Sequence, residues 1–274
     1  MSSTEQDLSY LRDIVRNHSA MVLDPSRDHL FETKLYHLMR SENLGTLGQL
    51  VQSLRMRSSP HMERSIAEAM TINETSFFRD LRPFCLMESE LLPRLIANRR
   101  KERHLRFWSA ACSSGQEAYS LAMLLLDKFP ELTTWRVEIV GTDLSAEMVE
   151  RANAGRYLRI EVNRGLPARY LLSYFDKGED EWTIKPHVRR LCSFQQRNLC
   201  AAPWLFERYD GILLRNVLFY FSDETRRRLL TRVHQMMAPD GFLFLGASEQ
   251  ASLPELWKPV LSDRACYHVP VPQR

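Results

Sequence analysis

Hydrophobic positions in the first 70 residues recur at helical spacing. Phe31, Leu35 and Leu38 follow i, i+4, i+7, and Leu44, Leu47, Leu50, Val51 and Leu54 continue an apolar stripe. Chain breakers separate the stripes at Asp24-Pro25, at Gly45 and at Ser58-Ser59-Pro60. This pattern predicts a small all-α N-terminal domain of three or four short helices over 1–70, followed by a linker and connecting helix over 71–103.

The character changes after about residue 103. Leu105 to Ala111 is a short apolar run, followed by Cys112-Ser-Ser-Gly115 and a helical stripe through Tyr119, Met123 and Leu126. Val137 to Val140 is compact and rich in β-branched residues; it runs into Gly141-Thr142-Asp143, and Ser145 can cap a helix reaching Gly155. Gly211 to Leu214 reads as a buried strand, Ser222 to Ala238 as a helix, and Gly241 to Ala247 and Ala265 to Val269 as further strands. Strands alternating with helices predict an α/β fold over 104–274: a Rossmann-like parallel sheet with helices on both faces. The stretch at about 156–200 breaks the rhythm, with a helix over Pro167 to Phe175, a turn at Asp176 to Asp180, and strands near Trp182 to Lys185 and Arg190 to Gln195. It reads as a hairpin subdomain inserted in the sheet.

Composition narrows the class. With 44% hydrophobic and 26% charged residues the chain is too apolar for disorder, and a formal charge of +3 is too mild to indicate nucleic-acid binding without a concentrated basic face. The polar start, Met1 to Asp7, has no secretory pattern, and no apolar run approaches the roughly 20 residues that span a bilayer. Cys85, Cys112, Cys192, Cys200 and Cys266 are odd in number and never spaced Cys-x-x-Cys. They argue against a disulfide framework or structural zinc and fit a reducing cytoplasm, as small core hydrophobes.

Four segments carry candidate chemistry. Ser109 to Glu117 puts small residues between a strand and a helix, where a ligand can approach the backbone; it lacks the Gly-x-Gly-x-x-Gly fingerprint of dinucleotide sites, and such a turn can also be purely structural. Asp143, at the end of the second strand, is placed to accept from ribose hydroxyls, or alternatively to sit favourably at a helix N-terminus. Arg215 and Asn216 follow a strand end, where open α/β sheets place their ligand crevice, although a loop anchor is the plainer reading. Asn73 to Arg79 sets Asn73, Thr75 and Arg79 around Phe77 and Phe78; by pattern alone it is a linker whose aromatic pair docks one domain on the other.

Together these segments closely resemble the chemotaxis-receptor glutamate methyltransferases, the CheR family, from about residue 10 to the C-terminus. The most specific blocks are Asn73-Glu-Thr-Ser-Phe-Phe-Arg79, Ser109-Ala-Ala-Cys-Ser-Ser-Gly115 with Glu117, Gly141-Thr-Asp143, and Arg215-Asn216-Val217 through Tyr220. The resemblance implies transfer of a methyl group from S-adenosylmethionine to glutamates of chemoreceptor cytoplasmic helices, by a cytoplasmic, monomeric enzyme. Asn73, Thr75 and Arg79 would contact the cofactor from the linker side, and Ala111 would line its cleft. Glu117 would meet the methionine amino group, Asp143 the ribose, and Asn198 with Leu199 the adenine, while Arg215 and Asn216 would close the pocket. Arg79 and Tyr220 would lie closest to the transferring methyl.

This chain departs from the family pattern at Gln116 and Ala118, where an acid and a proline are usual. Residues 1–70 carry eight Lys or Arg against nine Asp or Glu, whereas the family's N-terminal domain is typically basic towards the receptor. Arg55, Arg57 and Arg64 do cluster, as do Arg226, Arg227 and Arg228. The short turn at 176–180 points to an enzyme that acts without a receptor tether. Two other readings are a non-catalytic S-adenosylmethionine sensor and a methyltransferase for another substrate. A base-methylating site would show Asp/Asn-Pro-Pro-aromatic where Arg215-Asn216-Val217 stands.

Overall fold

The computed structural model describes residues 5–201, 207–262 and 265–272. The chain forms two compact units. One comprises residues up to Ile72 with Phe219–Arg226, and the other Asn73–Leu218 with Arg227–Arg274.

The first unit is helical: α1 (Glu5–Ser19), α2 (His29–Ser41), α3 (Leu47–Met56) and α4 (Pro60–Ala69). Their starts follow local chemistry. The Thr46 hydroxyl accepts the Gln49 amide at 3.2 Å to cap α3, and Ser59 caps α4 with Pro60 in its first turn. Leu11, Val15, Phe31, Leu35, Leu50 and Ile66 are buried between the helices. Lys34 Nζ donates to the carbonyls of Ala69 (3.2 Å) and Thr71 (2.6 Å), satisfying the C-terminal end of α4 with a cation. The distant segment 219–226 joins this unit through the Val22 amide, which donates to the Tyr220 carbonyl at 2.8 Å.

The second unit opens with α5 (Arg82–Leu86), a π-helical turn (Met87–Leu91) and α6 (Leu92–Asn98). Pro93 lacks an amide and crowds the preceding turn; the wider π turn accommodates it without ending the helix. Then come β1 (His104–Ala110), α7 (Gln116–Lys128), β2 (Arg136–Asp143), α8 (Ala146–Ala154), β3 (Arg156–Leu158), α9 (Arg159–Val162), α10 (Ala168–Tyr174), β4 (Phe175–Lys177), β5 (Glu181–Ile184), α11 (Pro186–Arg189), β6 (Cys192–Gln196), β7 (Tyr209–Leu214), α12 (Asp223–Gln235), β8 (Met237–Leu245), β9 (Trp257–Leu261) and β10 (Cys266–Pro270). Helix α12 starts in the first unit and continues into the second.

The main sheet has the order β6-β2-β1-β7-β8-β10-β9. Its first five strands are mutually parallel, and β10 runs antiparallel to both β8 and β9. Because β1 lies between β2 and β7, the chain leaves it towards opposite sides. That is the topological switch point at which such sheets bind ligands. No helix among the described residues is long and apolar enough to cross a membrane.

Several strands differ from the sequence expectation. The segment near Arg190 to Gln195, expected as an arm of the inserted hairpin, is β6 and pairs in parallel with β2, from Ile139 opposite Cys192 to Asp143 opposite Gln196. The inserted sheet is instead β3-β5-β4, with β5 central. Short strands carry no mark of their partner, and burial of Phe194 beside β2 and α8 selects the main sheet. Strand β9 was not legible because Pro259 interrupts it. An edge strand tolerates that residue, since one side of the strand needs no donor.

Candidate functional site

The C-terminal ends of β1, β2 and β7 converge on one set of hydrogen bonds. After β1, Ala111, Ser113 and Gly115 take φ values of +57°, +49° and +91°, so the loop turns sharply into α7. Buried Asp143 bridges two turns: Oδ2 accepts the Ser113 amide at 2.7 Å and Oδ1 the Ser145 amide at 3.0 Å. Asp143 therefore anchors the start of α8 as well as the loop after β1. The Arg197 amide donates to the Asp143 carbonyl at 2.7 Å, which sets Asn198 and Leu199 beside the same strand end. Asn198 closes a local turn onto the Cys200 amide at 2.8 Å, and Leu199 is buried.

The linker segment packs on this loop. Ser113 Oγ donates to the Asn73 carbonyl at 2.8 Å, and the Phe78 amide donates to Ser120 Oγ at 2.9 Å. Phe77 meets Tyr157 and Phe175 edge-on at 5.0 and 5.6 Å, while Phe78 stacks on Tyr170 at 5.0 Å. The pattern reading of this pair as a dock between domains gives way to partners inside the α/β unit. Thr75 and Arg79 are half-buried, and Arg79 Nη1 donates to the Glu74 carbonyl at 2.9 Å.

Arg215 closes the other side. Its side chain is 2% exposed; Nη1 donates to Glu117 Oε2 at 2.9 Å, and Nη2 to Asp80 Oδ2 at 2.7 Å and the Arg79 carbonyl at 2.9 Å. Glu117 Oε1 accepts from Ser109 Oγ at 2.7 Å. Asn216 follows with φ +60°. Arg215 Nε and Asn216 Oδ1 are buried with no hydrogen-bond partner among the described residues, which leaves one donor and one acceptor suited to a ligand. Asn73, Arg79, Ala111, Glu117, Asp143, Arg215 and Asn216 are thus joined by short links within one unit. Tyr220 belongs to the helical unit, where its ring lies 4.3 Å from that of Phe219.

The site holds no activated thiol. Burial, and then the nearby carboxylates of Asp143 and Glu117, push the Cys112 thiol well above its ordinary value. What the cluster offers is carboxylates, carbonyls and a buried guanidinium around a small-residue loop. Those acceptors suit a ligand bearing an ammonium group and sugar hydroxyls.

Sequence reasoning missed Glu249. Its Oε2 accepts the amides of Asn216 (2.8 Å) and Gly246 (2.7 Å), and Oε1 that of Leu218 (2.7 Å). The signal available was a glycine after a strand with a carboxylate three residues on, which reads only as a turn. Tyr157 was missed too: its hydroxyl donates to the Ser114 carbonyl at 2.7 Å, so the small sheet buttresses the loop after β1.

Comparison with known proteins bears on the same segments. The description "CheR methyltransferase, SAM binding domain" matches residues 73–266. Chemotaxis protein methyltransferase 1 of Pseudomonas aeruginosa is 39% identical over 254 residues, covering 91% of this chain and 92% of that protein. Chemotaxis protein methyltransferase Cher2 of Pseudomonas putida is 36% identical with the same coverage. Chemotaxis protein methyltransferase 1 of Vibrio cholerae is 36% identical over 90% of each chain.

Proposed function

Because this chain belongs to the CheR methyltransferase family and is an S-adenosylmethionine-dependent methyltransferase, we propose that it esterifies glutamate side chains on the cytoplasmic helices of chemoreceptors. It acts in the cytoplasm, as a monomer, in sensory adaptation. The observation that carries the site assignment is the convergence of Asp143, Glu117 and Arg215 at the switch point of the sheet, with Arg215 Nε and Asn216 Oδ1 unpartnered.

Asp143 receives the ribose hydroxyls, and Asn198 with Leu199 flank the adenine. Glu117 receives the methionine ammonium, Ala111 lines the cleft, and Asn73 and Thr75 approach from the linker. Arg215 holds Glu117 in place through the 2.9 Å bond, and with Asn216 closes the pocket. The bound cofactor supplies a methyl group on a sulfonium, whose leaving group departs neutral. A glutamate has an ordinary pKa near 4.3 and is already a carboxylate at neutral pH, so no residue here has to remove a proton. The protein's contribution is alignment, which is worth roughly 7–11 kcal/mol. Arg79 suits the orientation of a carboxylate through its planar fork.

The test is transfer of labelled methyl from S-adenosylmethionine to the host's receptor signalling domains, with wild type beside Arg79→Ala and Asp143→Ala. Label that mild alkali releases, and that both variants lose, is the expected result. Absence of label from an enzyme that binds the cofactor calorimetrically would refute the receptor assignment and favour a sensor.

A further inference from the structure

The turn after β8 brings a carboxylate back over two strand ends. The Glu249 amide donates to the Gly246 carbonyl at 2.9 Å, closing Gly246-Ala247-Ser248-Glu249 as a tight turn. The carboxylate then accepts three backbone amides: Gly246 at the end of β8, and Asn216 and Leu218 in the loop after β7. The three amides lie where the two parallel strands separate, and one carboxylate serves them all. Space at the junction is fully used. A Cβ on Gly246 would lie 2.6 Å from Glu249 Oε2, 2.8 Å from Asn216 Nδ2 and 2.9 Å from the Asn216 amide nitrogen.

The loop held this way is the one that presents the two buried unpartnered groups, Arg215 Nε and Asn216 Oδ1. Asn216 adopts φ +60°, in the left-handed region that asparagine tolerates better than most non-glycine residues. The bond from its amide to Glu249 fixes the backbone in that conformation. We propose that Glu249 is a positioning residue of the cofactor pocket. Without touching the cofactor, it fixes the backbone of Asn216 and Leu218 and so aims Asn216 Oδ1 and the Arg215 guanidinium into the site. This rests on the reading that Arg215 and Asn216 close that pocket.

Glu249→Gln is nearly isosteric but cannot serve all three donors, because its NH2 group must face at least one amide N–H. The probe is calorimetric binding of S-adenosylhomocysteine, with thermal stability recorded alongside. Gly246→Ala crowds the same junction by another route, and Arg99→Ala loosens the opposite end of the sheet. The expected result is about tenfold weaker binding in Glu249→Gln and Gly246→Ala. Arg99→Ala should lose thermal stability while its affinity stays within twofold of wild type.

Affinity within twofold of wild type in folded Glu249→Gln overturns the proposal. So does equal weakening in Arg99→Ala, which would reduce the effect to general stability. None of these readouts needs methyl transfer, so failure to modify receptors would leave the assignment standing. Unchanged affinity in Arg215→Ala and Asn216→Ala would instead remove the pocket reading beneath it.

Discussion

Arg215 and Glu117 are 98 residues apart in sequence and form an ion pair of 2.9 Å that ties the end of β7 to the first turn of α7. With Asp80 on its second nitrogen, the guanidinium is compensated on one face, and its Nε is buried without a partner among the described residues. Removing it leaves two carboxylates facing each other near the cleft.

Arg215→Ala is therefore expected to cost about 3 kcal/mol, the low end for breaking a buried pair, because Asp80 remains 44% exposed. Urea denaturation measures this. S-adenosylhomocysteine affinity should fall by more than about tenfold. Arg215→Lys should keep part of the stability but not the affinity, since an ammonium cannot reproduce the three directed bonds.

At the opposite end of the sheet, Arg99 donates to Asp240 at 2.6 and 3.0 Å and to Asp210 at 3.0 Å. Those bonds to Arg99 hold the Asp240 carboxyl below its usual range, while burial pushes Asp210 up. Arg99→Ala should cost about 2 kcal/mol in a denaturant titration, because it strips the charge partner from a mostly buried Asp210.

Tyr157→Phe removes one buried hydroxyl bond to the Ser114 carbonyl. The ring keeps its packing on Phe77, so the loss should stay near 1–2 kcal/mol. Cofactor binding should weaken as well, because Ser114 lies in the loop after β1. Full retention of affinity would show that the small sheet does not brace that loop.

Gly165 sits at φ +87°, and a Cβ there would stand 2.1 Å from the Phe77 carbonyl oxygen. Gly165→Ala must displace either its own loop or the Asn73–Arg79 segment. A loss of more than about 1 kcal/mol is expected on backbone grounds alone. A lower Tm together with weaker cofactor binding is the predicted signature.

Burial of His268 lowers its pKa below the ordinary 6.5, against a smaller opposing effect of a hydrogen bond to the Leu243 backbone. The folded state resists protonation, so the unfolded chain binds more protons once the pH drops below 6.5. Stability from this residue is complete above 6.5 and is lost as pH falls from there towards the folded value, by at most about 1.4 kcal/mol per pH unit. His268→Gln should flatten that part of a stability–pH profile. An unchanged slope would assign the acid sensitivity to other groups.

Much of this protein is set locally and could be read from the chain alone. The apolar stripe through Phe31 and Leu35, the breaker at Ser58-Ser59-Pro60, the cap at Ser145, and the strand-then-small-residue turns at Ser109 and Gly141 each depend on residues within a few positions of one another. For the same reason the family motifs were legible. They are contiguous segments in which short-range backbone geometry and ligand chemistry coincide.

What the tertiary structure decided are the pairings between segments that carry no mark of each other. Strand β6 could have closed a hairpin but lies beside β2, where Phe194 is buried. Glu249 looked like an ordinary turn acid until the end of β7, 31 to 33 residues away, came within 2.8 Å of its carboxylate. Arg215 and Glu117 were each legible as site residues, yet their bond was not. Periodicity and propensity act over one turn or one strand, whereas a hydrogen bond between strand ends exists only once packing has brought those ends together.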